Sequence, residues 1–239
     1  MKIAACSKMF VNMWQIISLR KPEPMSLCCL QSFYRELSDQ ERKLADNGDF
    51  NFDHPSTFDF DLLESALKDL VDGKSIELPN WDVRLHKRVG TLEVNPADVI
   101  LLEGILVLYP PAVRNMLNMK VYIDVDSDDR LARRVKSNSI SKNPQPLEPL
   151  LHQYVRFVKR SHEDFVLPTK QYADIIVPRG MDNKPALKLM TDHIRSFLDG
   201  KDSYTVSEEK GQSVMIGSPH IAASEILGNK ESQFRLLPK

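Results

Sequence analysis

The sequence predicts an α/β protein built on a doubly wound parallel sheet. Three short, mostly apolar runs lie at 99–102, 119–125 and 172–177, and each is followed by an acidic residue or a proline. Runs of this length are too short for free-standing helices and are typical of strands buried on both faces. Helical patterns separate them, and alternation of strands with helices favours a parallel sheet covered on both sides.

The helical patterns carry their own start and stop signals. The clearest is the amphipathic segment from Asp59 to Val71, which Gly73 ends. Residues Ser38–Glu41 form a capping box that predicts a second, shorter helix. Further helices are predicted over 111–117, 127–135, 147–165 and 183–199, short strands over 76–78 and 89–94, and a polar loop over 136–146.

The chain divides into three parts by pattern. Residues 1–30 show no period and are interpreted as a divergent N-terminal lead. Residues 31–200 form the predicted α/β domain. Residues 201–239 are rich in Ser, Glu, Lys and Gly and are predicted to be a disordered tail.

Composition excludes several functional classes. The net charge of the 239 residues is -1, so no global field favours nucleic acid or an anionic membrane. We find no apolar stretch of the roughly 18 residues that a membrane-spanning helix needs. The three cysteines, Cys6, Cys28 and Cys29, match neither a disulfide framework nor a zinc motif. They fit a reducing compartment, and we expect a cytoplasmic protein.

One predicted strand ends in residues suited to a site. The run at 99–102 is followed directly by Glu103 and Gly104. Ligands of α/β proteins bind beyond the carboxyl ends of the strands. Glu103 is therefore predicted at the mouth of a site, with a strand-ending carboxylate that faces water as the alternative.

Five motifs occur together in a characteristic order. They are Phe50–Pro55 (FNFDHP), Asp98–Leu106 (DVILLEGIL), Arg130–Arg134 (RLARR), Leu167–Asp174 (LPTKQYAD) and Ile176–Gly180 (IVPRG). Each motif alone is weak, but the five in register strongly resemble the uridine-cytidine kinases.

The resemblance covers most of the chain, from about Ser32 to Leu198. It implies a P-loop kinase fold for residues 31–200. The reaction it implies is transfer of the γ-phosphoryl group of ATP, with Mg²⁺, to the 5′-hydroxyl of uridine or cytidine in pyrimidine salvage. It also implies association into homo-oligomers, or into hetero-oligomers with other family members.

Several residues match the nucleoside site of that family. Tyr34 matches an aromatic contact near the sugar, and Phe52 is expected to line the pocket. Asp53 matches an acid that binds the ribose hydroxyls, and a carboxylate can accept from both groups of a cis-diol. Arg134 and Gln153 match residues on the nucleoside and phosphate side.

Three further matches concern the base and the metal. Trp81 stands where the family usually has a stacking Tyr, and an indole can stack but lacks the phenolic hydroxyl. His86 matches a histidine that reads the pyrimidine edge, and Glu103 matches an acid that helps to organise Mg²⁺. One carboxylate alone is a poor Mg²⁺ site. Alternatives from the residues alone are a surface His86, a core or lid Trp81 and a helix-capping Asp53.

The chain departs from the family in its phosphate loop. The 239 residues contain no Gly-x-x-x-x-Gly-Lys-Ser/Thr motif, whose backbone and lysine would hold the phosphates. In the family this loop precedes the position of Ser32. We therefore expect the first strand, the P-loop and the first helix to be missing.

The catalytic base and the lid also differ. Gln31 occupies the family's catalytic Asp position, and a carboxamide cannot accept the 5′-hydroxyl proton. The segment 136–145 offers Lys136 and Lys142 but no arginine, where the family has several. Because positioning and electrostatics supply most of phosphoryl-transfer catalysis, we expect little or no kinase activity and no intact catalytic residue.

Three functions therefore stand side by side. The first is a nucleoside kinase that makes UMP or CMP. The second is a non-catalytic nucleoside-binding or regulatory subunit that associates with intact kinases of the family. The third is a truncated splice product whose exposed sheet edge prevents stable folding.

Overall fold

A five-stranded parallel sheet forms the centre of the fold. The computed structural model describes residues 2–6, 25–141 and 143–198. Its sheet has the order β2-β5-β1-β6-β7, and a separate antiparallel pair is formed by β3 and β4. The strands are β1 Lys2–Cys6, β2 Met25–Cys29, β3 Ile76–Asp82, β4 Lys87–Val94, β5 Val99–Glu103, β6 Met119–Asp124 and β7 Ile175–Pro178. The predicted doubly wound α/β architecture is confirmed.

β5 is an interior strand of the sheet and is buried along its whole length. All five of its residues are buried, and it pairs in parallel with β2 on one side and with β1 on the other. Glu103 at its end lies opposite both Cys6 and Cys29. The apolar run predicted as a strand is therefore the second strand from one edge of the sheet. The Glu103 carboxylate lies at the end of the sheet where the strands reach their C-termini.

The prediction that the first strand is missing is wrong. Lys2–Cys6 forms β1 and lies between β5 and β6, in the middle of the sheet. A five-residue strand needs only backbone pairing with its two neighbours, and it is too short to show a period in the sequence. The lead of residues 1–30 thus supplies both β1 and β2. The predicted losses of the P-loop and the first helix fall on residues 7–24, outside the described residues, as does the predicted tail at 201–239.

Helices cover both faces of the sheet. They are α1 Asp39–Asp46, α2 Phe60–Val71, α3 Pro111–Met116, α4 Ser127–Ser139, α5 Leu147–Gln153, α6 Lys159–Ser161 and α7 Lys184–Leu198. Short 3₁₀ segments lie at Leu30–Phe33, Pro55–Thr57, Leu167–Tyr172 and Gly180–Asp182. The capping box at Ser38 and Glu41 is formed as predicted. α4 extends to Ser139, so the first part of the predicted loop 136–146 is helical.

Alternate residues of β5 enter two different hydrophobic cores. Ile100 and Leu102 pack in one cluster with leucines of α2, whereas Val99 and Leu101 pack in another with Ile194 of α7. Successive side chains of a strand point to opposite faces. The uninterrupted apolar run of β5 follows from this double burial.

The hairpin of β3 and β4 is longer than predicted. Trp81 pairs with Arg88 across it, although the sequence placed residue 81 in a loop. A register shift between Pro79 and Trp81 accommodates the proline. His86 closes the turn with a positive φ of 48°.

The segment after α5 is helical but irregular. Two π-helical turns, Tyr154–Val158 and His162–Val166, flank α6. The sequence predicted one ordinary helix over 147–165, because periodicity alone does not distinguish these turns. Within the described ranges, no helix is both long and apolar enough to cross a membrane.

The turn after β5 leads to a stability prediction. A Cβ atom on Gly104 would overlap that of Leu30 and lie 2.9 Å from its Cδ2 atom, and the φ of Gly104 is +157°. Gly104→Ala is therefore expected to lower the free energy of unfolding by about 3 kcal/mol in urea denaturation. The control is Gly73→Ala, where φ is +81° but no atom lies within 4 Å, and the expected loss is about 1 kcal/mol. Equal losses in the two variants would contradict the steric argument.

Candidate functional site

A large cavity opens at the carboxyl ends of β2 and β5. Its volume is about 780 Å³. Its walls come from the ends of these strands, from the loop before the Pro55–Thr57 turn, from α4 and from the irregular helix after α5. The polar and charged lining residues are Cys29, Gln31, Tyr34, Asp53, Glu103, Arg130, Arg133, Arg134, Ser137, Asn138, Ser141, Tyr154, Lys159 and His162.

Glu103 lies in the cavity wall and is almost completely buried. Only 6% of its surface is exposed. Its Oε1 accepts a hydrogen bond from the Cys29 Sγ atom at 2.9 Å, while its buried Oε2 has no hydrogen-bond partner among the described residues. The strand end therefore presents a carboxylate to the cavity, and the alternative of a side chain facing water does not hold.

An aromatic cluster adjoins the cavity. The Tyr34 ring stacks on Phe58 at 4.5 Å and contacts Trp81 at 5.1 Å and Phe52 at 5.8 Å between centroids. Phe52 in turn stacks on His86 at 5.0 Å. The structure thus brings together four residues that the sequence assigned to one pocket. Of these four, Tyr34 lines the cavity, and the others form a layer beside it.

Asp53 stands on the same side as Tyr34. Its backbone N–H donates to the Asn51 Oδ1 atom at 3.1 Å, and the Asn51 amide donates to the Ser161 hydroxyl of α6. These bonds tie the loop that carries Asp53 to the helix across the cavity. Burial, together with the charge of Asp53, raises the pKa of the Tyr34 hydroxyl, which donates to the Phe52 carbonyl.

The opposite wall is basic. α4 contributes Arg130, Arg133 and Arg134, and α6 contributes Lys159. Arg133 is held by the Asp182 carboxylate at 2.7 Å, and the buried Nε of Arg134 has no hydrogen-bond partner among the described residues. The three arginines follow helical spacing and face one cavity, which suits an anionic group such as a phosphate.

Arg130 is oriented by a histidine that sequence reasoning missed. Its Nη1 donates to the Val125 carbonyl at 2.9 Å and lies 3.1 Å from the His162 Nε2. A guanidinium can only donate, so Nε2 is the acceptor and the imidazole proton is on Nδ1. Burial, and then the Arg130 charge, lower the pKa of His162 to about 4. The histidine is therefore neutral at physiological pH.

The irregular helix presents one straight row of residues to the cavity. Tyr154, Val158, His162 and Val166 all line it at intervals of four residues. In a regular α-helix four residues advance about 40° beyond a full turn, so such a row would rotate away. The two π-helical turns hold more residues per turn and compensate for this rotation.

Two other residues singled out in the sequence, Gln31 and Gln153, differ in whether they line the cavity. Gln31, which was expected at the position of a catalytic carboxylate, lines the cavity and is exposed. The Gln153 amide instead donates to the Gly48 carbonyl at 3.3 Å, and Gln153 is not among the lining residues. Arg130 and Arg133 could have been found from their spacing with Arg134, but no local signal indicates His162 or Cys29.

A second cavity of about 350 Å³ lies next to the first. It shares Arg130, Arg133 and His162 with it and extends between Tyr122 and Gly180. Its remaining lining is mainly apolar. Arg130 and Arg133 therefore lie between the two cavities.

The described residues offer Mg²⁺ one buried carboxylate in the cavity, that of Glu103. Within the described ranges, no group of three or more His, Cys, Asp or Glu side chains is placed to hold a metal by itself. The unpartnered Glu103 oxygen suits a cation, but its neighbour is the Cys29 thiol, and Mg²⁺ prefers an octahedron of oxygen ligands. For ATP, the arginines could contact phosphate, but the sequence offers no glycine-lysine loop to surround it.

Comparisons with known proteins agree on one family. The family model described as "Phosphoribulokinase / Uridine kinase family" matches residues 4–186. The chain is 42% identical to uridine-cytidine kinase B of Dictyostelium discoideum over 88% of this chain and 85% of that protein. It is also 42% identical to uridine-cytidine kinase 2-B of Danio rerio, over 83% of this chain and 76% of that protein.

Solved structures show the same fold at lower identity. The phosphoribulokinase of Rhodobacter spheroides aligns with a TM-score of 0.56 and 9% identity, over 74% of this chain and 69% of that one. The D-glycerate 3-kinase of Cryptococcus neoformans aligns with a TM-score of 0.54 and 16% identity, over 69% and 78% of the two chains. Both likenesses concern the fold alone.

The neutral His162 leads to a pH prediction. Its pKa falls from 6.5 to about 4 on folding, so the unfolded chain binds more protons between these values. The stability contributed by the neutral imidazole is complete above about pH 6.5 and is lost as the pH falls towards 4. We therefore expect the unfolding free energy of the wild type, relative to His162→Gln, to decrease over this range.

The measurement is urea denaturation of both proteins across that pH range. His193→Gln, at an exposed position of α7, is the control and should keep the wild-type pH dependence. A constant difference between the wild type and His162→Gln would show that His162 does not titrate as described.

Proposed function

The chain belongs to the phosphoribulokinase and uridine kinase family, and from this membership we propose that it binds a pyrimidine ribonucleoside, uridine or cytidine, in the larger cavity. The observation that carries the proposal is that Tyr34 and Asp53 line this cavity together, with the aromatic layer directly behind Tyr34. A carboxylate beside an aromatic surface matches the two parts of a nucleoside.

Each part of the ligand would have a suitable partner. The Asp53 carboxylate can accept hydrogen bonds from both hydroxyls of a ribose cis-diol. Tyr34 offers an aromatic surface to a base in the cavity, and the layer of Phe52, Trp81 and His86 packs behind it. The Tyr34 hydroxyl, which donates to the Phe52 carbonyl, holds this layer in place before a ligand arrives.

The basic wall of the cavity would contact the 5′ end of the nucleoside. Arg130 is fixed by the Val125 carbonyl and His162, and Arg133 by Asp182 and the Arg179 carbonyl. Side chains that are already held in place lose little entropy when they bind a ligand. Such guanidinium groups would favour a phosphate attached to the 5′-oxygen, the product side of the family reaction.

We propose that the chain phosphorylates nucleosides very slowly or not at all. The family reaction moves a phosphoryl group from ATP to the 5′-hydroxyl, and that hydroxyl must lose its proton. Gln31 faces the cavity but cannot take up this proton. Because the 239 residues also contain no glycine-lysine phosphate loop, both positioning and charge neutralisation of ATP are weakened.

These two differences also favour a second function, that of a nucleoside-binding subunit without catalysis. A protein that keeps the nucleoside side of the cavity and lacks the machinery for ATP would bind the nucleoside and thereby sense or buffer its free concentration. It would do so without consuming it.

Nucleoside binding is tested by calorimetry with uridine. We expect measurable heat for the wild type and an increase of the dissociation constant by about tenfold or more for Asp53→Asn, because the amide accepts fewer hydrogen bonds from the diol. Asp61→Asn, at an exposed position of α2, is the matched control and should bind as the wild type does. Absence of uridine heat for a folded wild type, or equal affinity of both variants, would refute the proposal.

Catalytic weakness is tested by the formation of UMP. The purified 239-residue chain, given ATP, Mg²⁺ and uridine, is expected to form no UMP above the uncatalysed background. An active uridine-cytidine kinase serves as the positive control. Gln31→Asp is expected to remain inactive, since restoring a base does not supply a phosphate loop. Rapid UMP formation by the wild type would overturn this part of the proposal and leave the nucleoside site intact.

A further inference from the structure

The two cavities meet at a pair of arginines that the protein already holds in place. Arg130 and Arg133 line both cavities, whereas Tyr34 and Asp53 line only the larger one. The Val125 carbonyl accepts from Arg130, and the Asp182 carboxylate accepts from Arg133. A ligand whose anionic group contacts these two guanidinium groups therefore has space on both sides of that group.

The smaller cavity has an apolar surface beyond the arginines. Valine, leucine and isoleucine side chains of β6 and of the segment after β5 form most of its wall, and the described lining residues include no carboxylate and no lysine. Both of its hydroxyl groups have partners. The Thr169 hydroxyl donates to the Val166 carbonyl at 2.6 Å, and the Tyr122 hydroxyl lies 3.4 Å from the His162 Nε2. This cavity therefore suits an apolar group.

The volume of the smaller cavity sets the size of that group. An engineered apolar cavity of about 150 Å³ binds benzene. The smaller cavity, at about 350 Å³, has roughly twice that volume. It can accept a phenyl-sized ring together with the atoms that link the ring to the rest of a ligand.

We propose that the two cavities together bind a pyrimidine nucleoside 5′-phosphodiester whose second alcohol is apolar. The nucleoside lies in the larger cavity beside Tyr34 and Asp53, the phosphodiester lies at Arg130 and Arg133, and the apolar group enters the smaller cavity. This inference rests on the proposed nucleoside site and adds the class of group that is attached to the 5′ end. The ligand is bound without a bond being made or broken.

The charge of the two arginines matches a phosphodiester better than a triphosphate. A phosphodiester carries one negative charge and two free oxygen atoms, which guanidinium groups bind through paired hydrogen bonds. A triphosphate that extended into the smaller cavity would bring several charges against an apolar wall. Among the described lining residues, the cations there are the shared Arg130 and Arg133. Burying charges without partners is costly.

The test is calorimetry of the full chain with uridine, UMP, the methyl ester of UMP and the phenyl ester of UMP. The two esters have the same charge and differ in the apolar group alone. We expect the phenyl ester to bind at least about tenfold more tightly than the methyl ester, because the ring is buried in the smaller cavity. Equal affinities of the two esters, with uridine bound, would overturn this inference and leave the nucleoside site intact. Absence of binding by all four compounds would refute both.

A variant that fills the smaller cavity locates the effect. Val125 lines this cavity and not the larger one, and its backbone carbonyl, which holds Arg130, is kept on substitution. Val125→Phe should remove the preference for the phenyl ester and leave the affinity for uridine unchanged. Val155→Phe, at a position that is 62% exposed on the irregular helix, is the matched control and should keep the preference. A preference that persists in folded Val125→Phe would contradict the proposal.

A second measurement uses the wild type alone, in case a variant does not fold. The azidophenyl ester of UMP is bound, irradiated and located by mass spectrometry of the labelled peptides. We expect the label within residues 121–125 or 166–169, which line the smaller cavity, and we expect excess phenyl ester to prevent labelling. Labelling that is absent, is confined to other peptides or persists with excess phenyl ester would overturn the proposal.

Discussion

The pairing of β5 with strands on both sides is the constraint on which the rest of the structure depends. Because β1 and β2 share its register, the last residues of three strands lie in one row, Cys6, Glu103 and Cys29. The 3₁₀ turn Leu30–Phe33 follows directly from β2 and packs against Gly104, so Gln31 reaches the cavity. The same strand divides its side chains between two hydrophobic cores. Sheet, cores and cavity thus depend on one set of backbone hydrogen bonds, and a shift of register by one residue would exchange the faces of every β5 side chain.

The site is assembled from segments far apart in the chain, and its two sides differ in chemistry. One side is acidic and aromatic, and the other is basic and presented by helices. Two cross-links connect them: Asn51 with Ser161, and the Asp49–Arg156 ion pair. Both join the loop that carries Asp53 to the helix after α5. These bonds hold the walls at a defined separation without a ligand, which is the arrangement that binds a small molecule at low entropic cost.

Sequence reasoning identified the parts of the fold that have a local signature. The apolar run of β5, the amphipathic face of α2 and the capping box at Ser38 each carry enough information in a few residues. β1 was missed because five residues without a period carry no such signal, and its place follows only from pairing with two distant strands. The contacts of Cys29 with Glu103 and of Arg130 with His162 also join residues far apart in sequence. The hydrogen bond of Gln153 to Gly48 likewise could not be predicted, because matching a family position carries no information on tertiary contacts.

The π-helical turns beside the cavity have a consequence for how this chain can vary. A π turn contains one residue more than an α turn for the same closure, so the helix carries what is in effect an insertion at two places. Removing one residue from one of these turns would convert it into an α turn of the same closure, and the positions that follow would keep their faces. Removing one residue from a regular α turn would instead rotate all later positions by about 100°. The two π turns are therefore the places where this helix can lose a residue and still present the same side to the cavity.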